Sequence, residues 1–386
     1  MDKTKVLIEG YSHIVSYDLT VRDFKRYSRI IPIEVKSKLT REITKEDISW
    51  CDVLLVVRGD NPLSAYLSKK VTSLGKRVVL LLDDDLIEYR MGRPSLEGRV
   101  CGRSLLKVIE NSTCIITTSK YLGEKYKRNY GRNYTLVDTV VEESQIKPVS
   151  PNLSGPVRML YAASKGHRTF FDKYIKPDLN DLYKRYGEKV ALTIIGPEID
   201  TEGIDLRIEK IGTMPLEQYR SYMDQNHFDI GLAPLFDSEL CRSKYFNKYL
   251  EYSVNGICGI YSNVLPYSLV VKDGVNGFLA NDTPKAWFDA MCHAIDDAAK
   301  RRMCVENAQK HIRSEFTLKS IATKLYRDMP EVFSYKAENS QKIQIDNMRF
   351  KYLRTASYRN ILKIIDRFKR GEGRQAIIEI YKHVKN

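Results

Sequence analysis

Lys244, Lys248 and Glu251 stand four and three residues apart in the stretch DIGLAPLFDSELCRSKYFNKYLEYSVNGICGIY, residues 229 to 261. A helix predicted from Ser243 to Val254 carries all three on one face, and Asn255-Gly256 stops it. The helix follows an apolar strand, DIGLAPL, across a polar loop that holds Asp237, Glu239 and Arg242. A helix that starts where a parallel strand ends turns its N-terminus to the ligand side of the sheet. Free backbone N–H groups and a partial positive charge suit that end to phosphate. The plainer alternative is that Lys248 and Glu251 only pair on a wet helix face, worth about 0.2–0.5 kcal/mol.

Three further groups stand at strand ends. In YAASKGHR, residues Ser164 to Arg168 follow an apolar strand. Gly166 permits close backbone approach, while Lys165 and Arg168 can neutralise phosphate oxygens. His167 is either a contact to a ligand's sugar or phosphate or a loop residue. Asp83-Asp84-Asp85 closes another apolar strand. These carboxylates have three readings: a clamp for Mg²⁺ or Mn²⁺, groups that orient substrate hydroxyls, and, for Asp85, the N-cap of a helix at LIEYR. His13 follows the first strand, with a ligand-binding and a structural reading.

The elements that position these groups alternate regularly. KVLIEGY, IPIEVKS, DVLLVVRG, KRVVLLLD, STCIITTS and NYTLVDTV read as strands, with helical runs such as PLSAYLSKKVTSLG and SKYLGEKYKRNYG between them. Near-continuous apolar strands separated by helices indicate a parallel sheet covered on both faces. SPNLSGP, residues 150 to 156, is the best linker. The alternation then restarts with VRMLYAAS, VALTIIG, IDLRIEKIG, FDIGLAPL, ICGIYS and GVNGFLA, and a helical region follows from Thr283 to about Glu331. The expected organisation is a Rossmann-like domain over 1–150, a second over 156–330 and a basic helical tail over 331–386. Two doubly wound domains in tandem bind ligands in a cleft outside the carboxyl ends of their strands. No GxGxxG follows the first strand, and neither GxxxxGK[ST] nor GxSxG occurs. Their absence argues against a nicotinamide site, a P-loop nucleotidase and a serine-hydrolase elbow.

At 386 residues, 43% hydrophobic and 29% charged, the chain is long enough for two globular cores. It has no apolar run of about 18 residues, no signal peptide is expected, and its seven scattered cysteines fit a reducing, cytoplasmic setting. The net charge of +14 is uneven, since residues 348–386 hold 11 Lys/Arg against 3 Asp/Glu. Within 348–370, Phe350, Leu353, Ile361, Ile364, Ile365 and Phe368 recur near helical spacing among basic residues. Such a helix suits an anionic membrane surface, the protein's own first domain or a partner.

The stretch from Asp229 onward resembles the family-4, group-1 glycosyltransferases of the GT-B fold. The closest subgroup has the pattern DIGLAPL-x-D-x-x-F-N-R-x-K-x-x-x-K-x-L-E-Y, and Asp237, Arg242, Lys244, Lys248, Leu250, Glu251 and Tyr252 stand as it asks. YAASKGH, GVNGFL and Trp287 match elsewhere in the second domain, and DVLLVVRG, GKRVVLLLDDDL and TTSKYL in the first. The chain departs from the family at Ser243, where many relatives carry an acidic residue, and at Leu240-Cys241 in place of Phe-Asn. It also carries Asp83-Asp84-Asp85 where many relatives have a histidine, as its subgroup often does.

The resemblance implies transfer of a sugar from a nucleotide-diphosphate donor to a glycan or lipid-linked acceptor in surface-glycan or polysaccharide synthesis. It also implies retention of configuration without a metal or other cofactor. Glu251 would accept from the ribose hydroxyls, and Arg242 and Lys244 would face the pyrophosphate with help from Lys165, on a surface completed by Gly166, His167 and Leu250. Asp84, Asp85 and Lys244 are the candidates nearest the chemistry, and His13 the candidate for acceptor binding. No nucleic acid is expected as a partner. Two alternatives carry different functions: a nucleotide-sugar-binding subunit without turnover, and a nucleotide-sugar 2-epimerase.

Overall fold

Among the described residues, twelve strands form two parallel sheets. The first contains β1 (Thr4–Gly10), β2 (Ile33–Leu39), β3 (Val53–Val57), β4 (Arg77–Leu82), β5 (Cys114–Thr117) and β6 (Tyr134–Leu136), in the order β2-β1-β3-β4-β5-β6. The second contains β7 (Val157–Ala162), β8 (Val190–Gly196), β9 (Ile208–Gly212), β10 (Ile230–Ala233), β11 (Cys258–Ser262) and β12 (Phe278–Ala280), in the order β12-β11-β10-β7-β8-β9. Every strand pairing is parallel, as the apolar runs predict. This computed structural model describes residues 3–92, 95–149, 155–196, 198–337 and 364–372, the Lys165 side chain excepted.

Burial explains why the strands lack alternation. Val53 to Val57 are all at most 3% exposed, so both faces of β3 are covered. Each such aliphatic side chain contributes about 1.5–3 kcal/mol of burial free energy. Leu54, Leu80 and Ile115 meet in the core of the first sheet. Met159, Ile194, Ile230, Ile260 and Trp287 meet in that of the second. All seven cysteines are buried and none forms a disulfide among the described residues.

The units divide differently from the linker-based expectation. One comprises 1–138 with 321–386, the other 139–320. Residues expected in the first domain already belong to the second, because Val141 N–H donates to Phe316 O (2.9 Å) and Lys147 N–H to Val254 O (2.8 Å). Past Ser320 the chain returns to the first unit, where Thr4 Oγ1 donates to Phe333 O at 2.7 Å. A Pro/Gly-rich stretch marks where the chain can bend, and the contacts on either side decide which core each flank joins.

Of the tail, residues 331–337 and 364–372 are described, and 331–333 and 364–369 are helical. Both carboxylate oxygens of Asp366 accept from the start of the helix Leu96–Asn111, Oδ1 from Leu96 N (3.0 Å) and Oδ2 from Glu97 N (3.2 Å). Ser95 Oγ takes the next donor, Gly98 N, at 2.9 Å. The first three orphan N–H groups of that helix are therefore satisfied, two of them by a tail residue. Ile365 and Phe368 remain 37% and 51% exposed. The stripe residues Phe350, Leu353 and Ile361 lie outside the described residues. No described helix is long and apolar enough to cross a membrane.

Candidate functional site

In a doubly wound sheet, ligands collect beyond the carboxyl ends of the two strands at which the order reverses. In the second unit these are β7 and β10. The loop after β7 holds Lys165, Gly166 and His167 in one turn of 3₁₀ helix. Tyr161 Oη donates to His167 O at 2.7 Å and fixes the loop to the strand. Gly196, at φ +104°, ends β8 against it, where a Cβ would lie 2.0 Å from Ala163 O. Gly166 itself faces open space, so packing does not demand glycine there.

The loop after β10 is anchored by Ser262, whose Oγ accepts from Leu235 N (2.8 Å) and donates to Leu235 O (2.9 Å). It does not lead into one helix from Ser243 to Val254. A short helix Glu239–Arg242, capped by Ser238, comes first, and the helix proper is Asn247–Val254. Ser243 closes the short helix, its Oγ donating to Leu240 O at 2.9 Å and its surface 2% exposed. A serine that caps with its own hydroxyl breaks the helical run, which propensity alone does not reveal. Arg242 therefore ends one helix, Lys244 lies between two, and only Lys248 and Glu251 share a helical face.

Charge distribution separates these residues. Arg242 is held bidentately by Asp237, at 2.6 and 2.7 Å, and this fork keeps the Asp237 carboxyl below its ordinary range. Lys248 Nζ lies 2.7 Å from Glu251 Oε1. Lys244 has no carboxylate partner among the described residues. Burial, with Lys244 and then Lys248 nearby, pushes the His167 imidazole down to about 4. His167 is thus neutral near pH 7 and lies within the field of both lysines, although its loop comes from another strand. Leu250 is only 5% exposed and belongs to the core, so its contribution is to hold the helix. The Lys165 side chain lies outside the described residues.

In the first unit the reversal falls between β1 and β3. His13 follows β1, with Nδ1 2.9 Å from Asp18 Oδ1 and its side chain 71% exposed. The Asp run does not converge on one point. Asp83 accepts from both Arg58 Nε and Nη2 at 2.8 Å, and from Ser16 Oγ. Asp84, more exposed, takes Arg58 Nη2 at 3.0 Å. Asp85 caps the helix Leu86–Met91, pairs with Lys125 Nζ at 2.8 Å and accepts from Tyr126 Oη at 3.3 Å. The cap accounts for only one of its contacts; Lys125 and Tyr126 hold the rest of the carboxylate, and Asp84 is the most exposed carboxylate of the run. Among the described residues no group of three or more His, Cys, Asp or Glu side chains is arranged to hold a metal ion.

Sequence reasoning missed three residues. Arg58 stands in the sequence only as the next-to-last letter of DVLLVVRG, yet it has φ +65° and organises Asp83 and Asp84. Tyr219, on the helix Leu216–Gln225, donates to Glu251 Oε1. Glu9 interrupts the apolar strand β1, and that interruption was its signal. It is fully buried, Thr40 and Ser64 hydroxyls donate to Oε1, and Oε2 has no hydrogen-bond partner among the described residues. Burial, resisted by those hydroxyls, raises its carboxyl to about 7.

No protein-family model and no curated protein sequence matches the chain. Solved structures do. HepE from Anabaena in complex with UDP aligns with TM-score 0.59 and 13% identity, over 85% of this chain and 100% of that one. Sucrose-phosphate synthase from Thermosynechococcus elongatus gives TM-score 0.58 and 13% identity, over 86% and 100%. The lipopolysaccharide outer core galactosyltransferase WaaB gives TM-score 0.54 and 14% identity, over 85% and 99%. The chain has the GT-B fold that its sequence resembles, two Rossmann-like parallel-sheet units with a helical C-terminal part. At these identities the likeness is one of fold.

Proposed function

We propose that this protein is a glycosyltransferase that takes a sugar from a nucleotide-diphosphate donor. The observation that carries the reading is the convergence of His167, Lys244 and Lys248 with Glu251 beyond β7 and β10. A departing nucleoside diphosphate gains negative charge as the glycosidic bond breaks, and fixed cations stabilise that charge. Asp237 already neutralises Arg242, so the weight falls on Lys244. Neutral His167 can donate one N–H to a phosphate or sugar oxygen. Glu251 accepts from the ribose.

The transfer runs with retention and without an obligate metal, as the family resemblance implies, and no protein nucleophile is nominated. Asp84, beside Arg58, orients an acceptor hydroxyl on the first unit, with His13 on the neighbouring loop. The acceptor is a glycan or a lipid-linked saccharide of surface-glycan synthesis. The basic segment 348–370 brings the protein to the cytoplasmic face of an anionic membrane.

Thermal shift with UDP, GDP, ADP and CDP tests the donor site, because a ligand that binds only the native state raises Tm by mass action. At least one should raise Tm, and Lys244→Ala and Glu251→Ala should each lose most of the shift. An unchanged shift in both variants rejects the site. One observation favours binding without turnover: Ser243 replaces an acidic residue common in relatives and spends its hydroxyl on Leu240 O. Release of free sugar from the donor, absent in Lys244→Ala, separates enzyme from binder.

A further inference from the structure

Glu251 is held by two donors on a single oxygen. Tyr219 Oη donates to Oε1, and Lys248 Nζ reaches the same atom at 2.7 Å. A carboxylate oxygen offers two lone-pair sites, so Oε1 is full. Oε2 has no hydrogen-bond partner among the described residues, and the side chain keeps 24% of its surface open. The Lys248 ammonium also lies 5.6 Å from the Tyr219 ring centroid and 5.5 Å from that of Tyr252. Tyr252 is itself fixed by its hydroxyl on Leu232 O at 2.9 Å, a residue of β10. Two helices and a strand thus determine where one carboxylate oxygen points.

We infer that Tyr219 is a positioning residue for ribose recognition, fixing Glu251 so that its second carboxylate oxygen accepts a ribose hydroxyl. The inference rests on the donor-site reading above. Burial, and then the negative charge of Glu251, push the Tyr219 phenol well up, so it remains a donor throughout the working pH range. With Oε1 saturated, Glu251 can offer a ligand only an acceptor. The site therefore favours a nucleotide with a ribose hydroxyl and penalises one that leaves Oε2 desolvated and unpaired. A lone Glu251–Lys248 pair on the helix surface would fix the carboxylate less well, because both side chains are long and rotatable.

The test uses the full-length chain, with the tightest binder among UDP, GDP, ADP and CDP and its 2′,3′-dideoxy counterpart, by calorimetry. Wild type should prefer the ribonucleotide by about tenfold or more, the scale of one hydrogen bond to a charged group. Tyr219→Phe keeps the ring and removes the hydroxyl. It should weaken the ribonucleotide several-fold, leave the dideoxy affinity unchanged and narrow the preference. In a Glu251→Gln background, Tyr219→Phe should add no further loss. An equal loss for both nucleotides marks a structural role only and overturns the inference, as does an unaltered preference. Wild type that binds a diphosphate without discriminating ribose also overturns it, whereas wild type that binds none overturns the donor-site reading itself.

Discussion

Arg58 grips Asp83 through two parallel hydrogen bonds, Nε to Oδ1 and Nη2 to Oδ2, each 2.8 Å. The fork is reached from a left-handed backbone, φ +65°, which a non-glycine residue adopts at a cost of order 1 kcal/mol or more. That conformation turns the chain at the end of β3 so that the guanidinium meets the loop after β4.

Substitutions at Arg58 should separate the fork from the backbone. Arg58→Ala and Arg58→Gly both lose the ion pair, but glycine accepts the φ freely, so Arg58→Gly should be the more stable by about 1 kcal/mol in urea unfolding. Arg58→Lys cannot make two parallel bonds and should fall near Arg58→Ala. All three should keep the thermal shift given by nucleoside diphosphate, because the proposed donor residues belong to the other unit.

Glu9 should impose a pH dependence of stability. Its folded carboxyl titrates near 7 and its unfolded one near 4.5. Below 4.5 both states hold the proton and no penalty applies. Between 4.5 and 7 the unfolded chain releases its proton first, so stability falls as pH rises. Above 7 the loss levels off at about 3 kcal/mol by the linkage relation. Glu9→Gln, which imitates the protonated acid, should melt above wild type at pH 8, and the gap should close toward pH 5. A gap independent of pH would reject the assignment.

His167 acts in the opposite direction. Its imidazole is depressed from 6.5 to about 4 by burial and by Lys244 and Lys248. Its contribution is fully present above 6.5 and is lost as pH falls toward 4, because the unfolded chain takes up the proton first. His167→Gln should lack that slope, gaining Tm relative to wild type between pH 7 and pH 4.5. Melting curves at both values give the comparison, and parallel losses in the two proteins would contradict it.

Asp366 should matter to the stability of the first unit despite its place in a basic tail. Asp366→Ala leaves two helix N–H groups without their carboxylate and should cost about 1–2 kcal/mol in urea unfolding. Asp366→Asn, which keeps one acceptor oxygen but loses the charge, should recover part of that. No difference between Asp366→Ala and wild type would show that solvent serves those donors equally well.

The sequence alone determined both sheets. Parallel strands buried on both faces must be apolar throughout, so DVLLVVRG and VALTIIG could be read directly. It also made Lys248 and Glu251 legible as neighbours on one helical face, because a spacing of three is local. Only tertiary structure decided which groups meet. His167 joins Lys244 from a loop nearly 80 positions earlier because the strand order places β7 beside β10. Tyr219 reaches Glu251 from another helix, Asp366 caps Leu96 across 270 positions, and the chain returns to its first unit after Ser320. Periodicity and spacing report a residue's near neighbours along the chain. Partners from distant segments are set by how the buried faces pack, and one sequence carries no direct record of that.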